Sequence, residues 1–244
     1  MLQSTRLIIW TIAWLALGNM AGAGSARAEC GHKRVSTSGP ASDTARVCEA
    51  LNGVLRYFAA IGFTIEPDIR IVFRDRVLID VYNADNREKA GKLQVSGFYN
   101  AAARVIEVTS GASTTREARR PWKQSWSADV SYSILQHELA HMAMRHALGQ
   151  RYGGISKPWL EFTANAVQFD LMKPELRTAI LASYPGLTPF ASTDQVNGLT
   201  YGLDPDAFAV MAHLFVRANG GADFIRRLLI GEVDFNTEPT FWVR

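Results

Sequence analysis

The chain has 244 residues, 48% of them hydrophobic, and a formal charge of +3 from 26 basic and 23 acidic side chains. That near-balance lacks the basic footprint of a nucleic-acid binder, and the length suits one good core or one domain in two lobes. No apolar run after the N-terminus approaches the roughly 20 residues that a membrane-spanning helix needs.

The first 28 residues read as a signal peptide. Arg6 gives a short positive region, "LIIWTIAWLAL" (7–17) an uncharged one, and Ala26 and Ala28 an A-x-A cleavage site. An uncleaved N-terminal anchor is the other reading of the same stretch. Cleavage leaves residues 29–244 and removes Arg6 and Arg27, which lowers the formal charge from +3 to +1. Export would put the chain where disulfides persist. Its two cysteines, Cys30 and Cys48, are expected to pair, worth about 3 kcal/mol in chain-entropy terms.

Residues 31–42, "GHKRVSTSGPAS", are rich in Ser, Gly and Pro and read as a loop. Over 42–63, Val47, Leu51, Leu55 and Phe58 recur at helical spacing, and Gly62 suits a stop. "DIRIVFRD" (68–75) alternates and is β-branched, so it predicts a strand, and "VLIDVYN" (77–83) one that continues or pairs with it. "KLQVSGFYNAAARVIEVTS" (92–110) predicts two strands about a connection near Asn100 and Ala101. In "RRPWKQSW" (119–126), two tryptophans stand among Arg116, Arg119, Arg120 and Lys123. They either grip an extended ligand or pack on the core.

Helical patterns follow at about 129–148, 158–172, 174–183, 205–218 and 221–230. Strands first and helices afterwards predict an α+β fold, with residues 29–126 as an α/β lobe and 127–244 as a helical lobe. The first of these helices, capped by Asp129 or Ser133 and ended by Gly149, carries "HELAH" (137–141). His137 and His141 are four apart and share a face, the spacing at which two imidazoles hold one Zn²⁺. Glu138 stands a step round the helix, placed to take a proton from an attacking water. Ile134, Leu135, Leu139, Ala140 and Met142 surround the motif with an apolar wall.

A catalytic zinc usually has three protein ligands. His146 lies five residues past His141, about 140° further round the helix, and reads as a surface or second-layer residue. Glu161, in "KPWLEFTANAVQFD" (157–170), is the stronger candidate. Pro158 suits a first helical turn, and the ten-residue connection "GQRYGGISKP" lets this helix return antiparallel to the first. The competing reading is a helix-start glutamate favoured by the macrodipole. Asp170 is the next acidic residue on that helix.

His137, Glu138, His141 and Glu161 together resemble the gluzincins, the thermolysin-like and aminopeptidase-like zinc metallopeptidases. "PWLEFTA" is similar to the P-x-W-L-x-E-G-x-A signature of small peptidase-MA-like proteins, with one residue fewer before the glutamate and Phe162 in place of glycine. "VSGFYNAAARVIEV" (95–108) is similar to the clan's strand-turn-strand, whose edge strand pairs with extended peptide. Residues 201–229 are similar to the C-terminal helices of the aminopeptidase-like members. The resemblance covers roughly 95–230. It implies a minimal zincin fold, Zn²⁺ on His137, His141 and Glu161, and Glu138 as general base. Asn165 would support a ligand histidine where relatives use aspartate, and Tyr201 would donate to the oxyanion, with His213 as the rival donor.

The expectation is an exported zinc metallopeptidase acting on a peptide or protein, with no nucleic-acid partner and no membrane insertion after signal cleavage. The alternative is a catalytically degenerate zincin-fold module that binds a peptide or a cell-wall polymer. A purely structural zinc is disfavoured, because no fourth protein ligand stands at a sensible spacing.

Overall fold

The structure, a computed structural model, describes residues 30–82, 88–113 and 120–235. The expected signal peptide lies outside the described residues, as do Arg116 and Arg119. The fold is α+β, with the sheets built before residue 110 and most helices after it. A single buried apolar cluster runs through both halves.

Strand β1 (Val35–Ser38) lies where a loop was expected. Val35 and Thr37 point inward, and β1 pairs in parallel with β2 (Ile69–Arg74). Its partner is over thirty residues away, so no local pattern announces it. Helix α1 (Ala41–Thr44) is one turn and leads into α2 (Val47–Ala60). On α2, Val47, Ala50, Leu51, Val54 and Phe58 are buried at helical spacing, and Gly62 follows at φ +92°. The Cys30–Cys48 disulfide is formed and ties the N-terminal segment to α2.

Strand β3 (Val77–Tyr82) neither continues β2 nor pairs with it. It forms a separate antiparallel hairpin with β4 (Lys89–Val95). The expected pair of strands over 92–110 is thus the end of β4, then β5 (Gly97–Asn100) and β6 (Val105–Thr109). The connection falls at 101–104, as expected, where Asn100 Oδ1 accepts the Ala103 N–H at 3.0 Å. The four-stranded sheet runs β1-β2-β6-β5. It is parallel except at its β5 edge, which is antiparallel to β6.

The tryptophans of 121–126 pack on the core. Trp122 is 4% exposed and meets Phe169 edge-on, and Trp126 Nε1 donates to the Ser110 carbonyl. Helix α3 (Ala128–Leu148) then crosses beneath the sheet edge, buried on most sides between β5, β6, α2 and the later helices. Its cap is Ser127, whose Oγ accepts from Val130 N, rather than Asp129 or Ser133. Asp129 sits in the first turn and pairs with Arg46 and Lys173. Gly149 ends the helix at φ +55°.

Helices α4 (Lys157–Leu171), α5 (Pro174–Ala182), α6 (Gly198–Leu203), α7 (Pro205–Ala218) and α8 (Ala222–Ile230) complete the fold. Prolines open α4, α5 and α7, where the missing N–H costs no intrahelical bond. Among the described residues no helix is long and apolar enough to cross a membrane.

Candidate metal centre

Because α3 is buried on most sides, its polar side chains must find partners inside the protein. His137 and His141 stand one turn apart with ring centroids 4.7 Å apart, and their Nε2 atoms approach to 3.1 Å. Helix α4 runs back antiparallel: its start reaches His141 and its end reaches Ser133. This return brings Glu161 Oε2 to 3.3 Å from His137 Nε2 and 3.8 Å from His141 Nε2. One ligating atom from each of the three residues lies within 4.8 Å of the others. The expected set His137, His141 and Glu161 is therefore brought together. His146 is exposed, and Asp170 faces Tyr57 and His213 instead.

The far nitrogen of His137 is held by a residue not foreseen. Gln168, fully buried, places Oε1 3.1 Å from His137 Nδ1. Its Nε2 donates to the Ser133 carbonyl at 2.9 Å. A carbonyl only accepts, so this bond fixes which way the amide faces. In the neutral ring, Nδ1 then carries the proton, and the Nε2 lone pair points at Glu161 and His141. Asn165, expected in this role, borders the cleft instead, and the bond to His137 passes to Gln168. Residues 161, 165 and 168 share one helical face, and that spacing is the signal that could have pointed to Gln168.

Electrostatics follow from burial and from this cluster. Burial alone would raise the Glu161 carboxyl, but hydrogen bonds with His137 and His141 outweigh it and hold it well below the usual range. Burial pulls His137 down, yet Glu161 and the Glu138 charge lift it above its ordinary value. Glu138 is pushed up, chiefly by burial, with the histidines and a backbone hydrogen bond from Tyr99 opposing. A carboxyl with a raised pKa beside a cation site has the character of a proton acceptor.

The edge strand closes on Glu138. A Cβ on Gly97 would lie 2.6 Å from both Glu138 Oε1 and Ile134 Cγ2, so a larger residue here would push these two side chains aside. The three ligand candidates and Glu138 line a cleft of about 310 Å³. Its lining includes Gly97, Phe98 and Tyr99 of β5 and, from α6 and α7, Tyr201, Pro205 and Asp206.

Tyr201 thus borders the cleft, although it sits on α6, a helix that was not expected. Its ring meets Phe208 edge-on, and Lys157 Nζ lies 5.4 Å from the ring centroid. His213 does not line the cleft. It is 1% exposed and stacked on Phe169, so it is not placed to act as oxyanion donor. Burial, helped by Arg217 and Arg177, lowers its pKa to about 4.

No curated protein and no solved structure matches the chain. One family model, described as a family of unknown function, matches residues 34–238, a span that holds every residue of the cleft. The chain belongs to that family, DUF6639.

Proposed function

We propose that the protein is an exported zinc-dependent metallopeptidase, with Zn²⁺ held by His137, His141 and Glu161 and with Glu138 as general base. The observation that carries the reading is the convergence of two imidazole nitrogens and one carboxylate oxygen, 3.1–3.8 Å apart, beside a buried glutamate.

The donor set fits the ion. Tetrahedral zinc with bonds of about 2.0–2.2 Å separates its ligand atoms by about 3.3–3.6 Å. Gln168 occupies His137 Nδ1, so Nε2, which faces Glu161 and His141, is the nitrogen left for the ion. Only three such residues cluster among the described residues, which leaves a coordination position open, as catalytic sites do. When bound, zinc lowers the pKa of a water and polarises a carbonyl oxygen.

The chain's own residues supply the rest. Glu138, held by the Tyr99 backbone and by desolvation, takes the proton of the attacking water and passes it to the leaving amine. Tyr201, which also lines the cleft, donates its O–H to the oxygen that becomes negative. The outer edge of β5 offers backbone groups to an extended substrate. The formed disulfide fits the expected export.

The test is peptide cleavage by zinc-loaded mature protein against its Glu138→Gln variant. The variant keeps every proposed ligand, and its turnover should fall about 10²–10⁴-fold. Equal cleavage by both would refute the assignment. A wild-type protein that binds peptide without cutting it would be the degenerate binding module.

A further inference from the structure

The β3–β4 hairpin carries apolar side chains that the cleft does not use. Its register sets Val77 opposite Val95, Ile79 opposite Leu93, and Val81 opposite Gly91. Paired residues share a face, and faces alternate along each strand. Val95, Ile79, Leu93 and Val81 therefore form one stripe. The other face holds Asp80, Lys92 and Gln94 with Leu78, and Lys89 pairs with Asp80 at 2.8 Å. The stripe begins in the cleft wall, to which Ile79 and Val95 belong. It ends in solvent, with Leu93 53% and Val81 39% exposed. Its continuity with the cleft, more than its exposure, sets it apart from scattered surface apolar residues.

We propose that this stripe extends the substrate cleft and seats apolar side chains of an extended polypeptide, away from the bond that is cut. The proposal rests on the peptidase reading and adds a substrate class: unfolded or extended protein with apolar residues at alternate positions. Continuity names the occupant. Ile79 and Val95 belong to the cleft and to the stripe, so a chain in the cleft passes onto Leu93 and Val81 without a break. Ile79 and Val81 are two residues apart, and an extended peptide shows every second side chain to one face. A sugar polymer, rich in hydroxyls, would gain little from four aliphatic side chains.

The test uses zinc-loaded mature protein and three peptides that share the residues flanking one scissile bond. The first has two residues on each side. The second is extended on both sides with alternating Leu and Ser, the third with Ser alone. Leu93→Asp and, separately, Leu93→Ser change an exposed position, and a thermal melt confirms that each folds. Both variants should lower kcat/KM about tenfold on the Leu-extended peptide, through KM. The other two peptides should be cut at the wild-type rate. Equal loss on all three, or loss on none, overturns the proposal. If the wild type cuts none of them, the peptidase reading fails. The stripe is then judged by anisotropy of the labelled Leu-extended peptide: about tenfold weaker binding to Leu93→Asp supports it, and equal or absent binding overturns it. A wild-type dimer that Leu93→Asp dissociates would make the stripe a self-association surface and overturn it too.

Discussion

His137 and Gln168 meet through a 3.1 Å contact between Nδ1 and Oε1, and this one bond orients the first imidazole of the candidate metal centre. Gln168 is anchored at its other end on Ser133, so the orientation is enforced by the packing of α4 on α3. The acceptor is a neutral amide, where a carboxylate would raise the basicity of the ring.

Gln168→Ala should therefore weaken zinc binding about 10- to 100-fold, as losses of such outer partners do. Gln168→Glu should recover only part of the loss, because a carboxylate also accepts the Nδ1–H but cannot donate to the Ser133 carbonyl. Competition with a metal-binding dye measures both. Unchanged affinity in Gln168→Ala would mean that the ring is held by something else.

Tyr201→Phe should bind zinc normally and turn over substrate about 10²–10³-fold more slowly. The loss should fall on kcat rather than on KM, since the bond strengthens as charge develops. Steady-state kinetics on one peptide decides it. His213→Phe, measured beside it, should leave the rate within a few fold, because His213 packs on Phe169 away from the cleft.

The same histidine should shape stability against pH. Its folded pKa, about 4, lies below the unfolded 6.5. Folded His213 thus refuses a proton that the unfolded chain accepts between those values. The contribution is whole above about pH 6.5, falls as pH drops through the window, and levels off near pH 4. Its size is at most about 3 kcal/mol. Asp170, 3.6 Å away, is itself raised by burial, so its own contribution runs the opposite way with pH, and the difference between the wild type and a His213 variant isolates the histidine. Urea unfolding of metal-free protein at several pH values should show this loss in the wild type and a flatter profile in His213→Phe. Parallel profiles would contradict it.

Helices α3, α4, α5, α7 and α8 were legible within a residue or two, and the expected first helix, 42–63, splits into α1 and α2 and ends three residues early, at Ala60. Their apolar spacing, opening prolines and closing glycines are local signals. The convergence of His137, His141 and Glu161 was legible too, since H-E-x-x-H puts two histidines on one face and a returning helix leaves Glu161 as the acid in reach. What the sequence hid depends on distant partners. Strand β1 is short and rich in Ser and Thr, and only its ladder with β2 makes it a strand. The choice of Gln168 over Asn165 depends on the level at which α4 crosses α3. Gly97 carried no signal of its own, because its close approach to Glu138 exists only once β5 packs on α3.

The most direct test of the centre is the zinc content of purified mature protein beside Glu161→Ala, both equilibrated at low free metal. Glu161 supplies the one oxygen that meets both imidazoles, at 3.3 and 3.8 Å. The account predicts one zinc per wild-type chain and little or none in Glu161→Ala. A wild type that takes up no zinc, or a Glu161→Ala variant that keeps its full share, would contradict it.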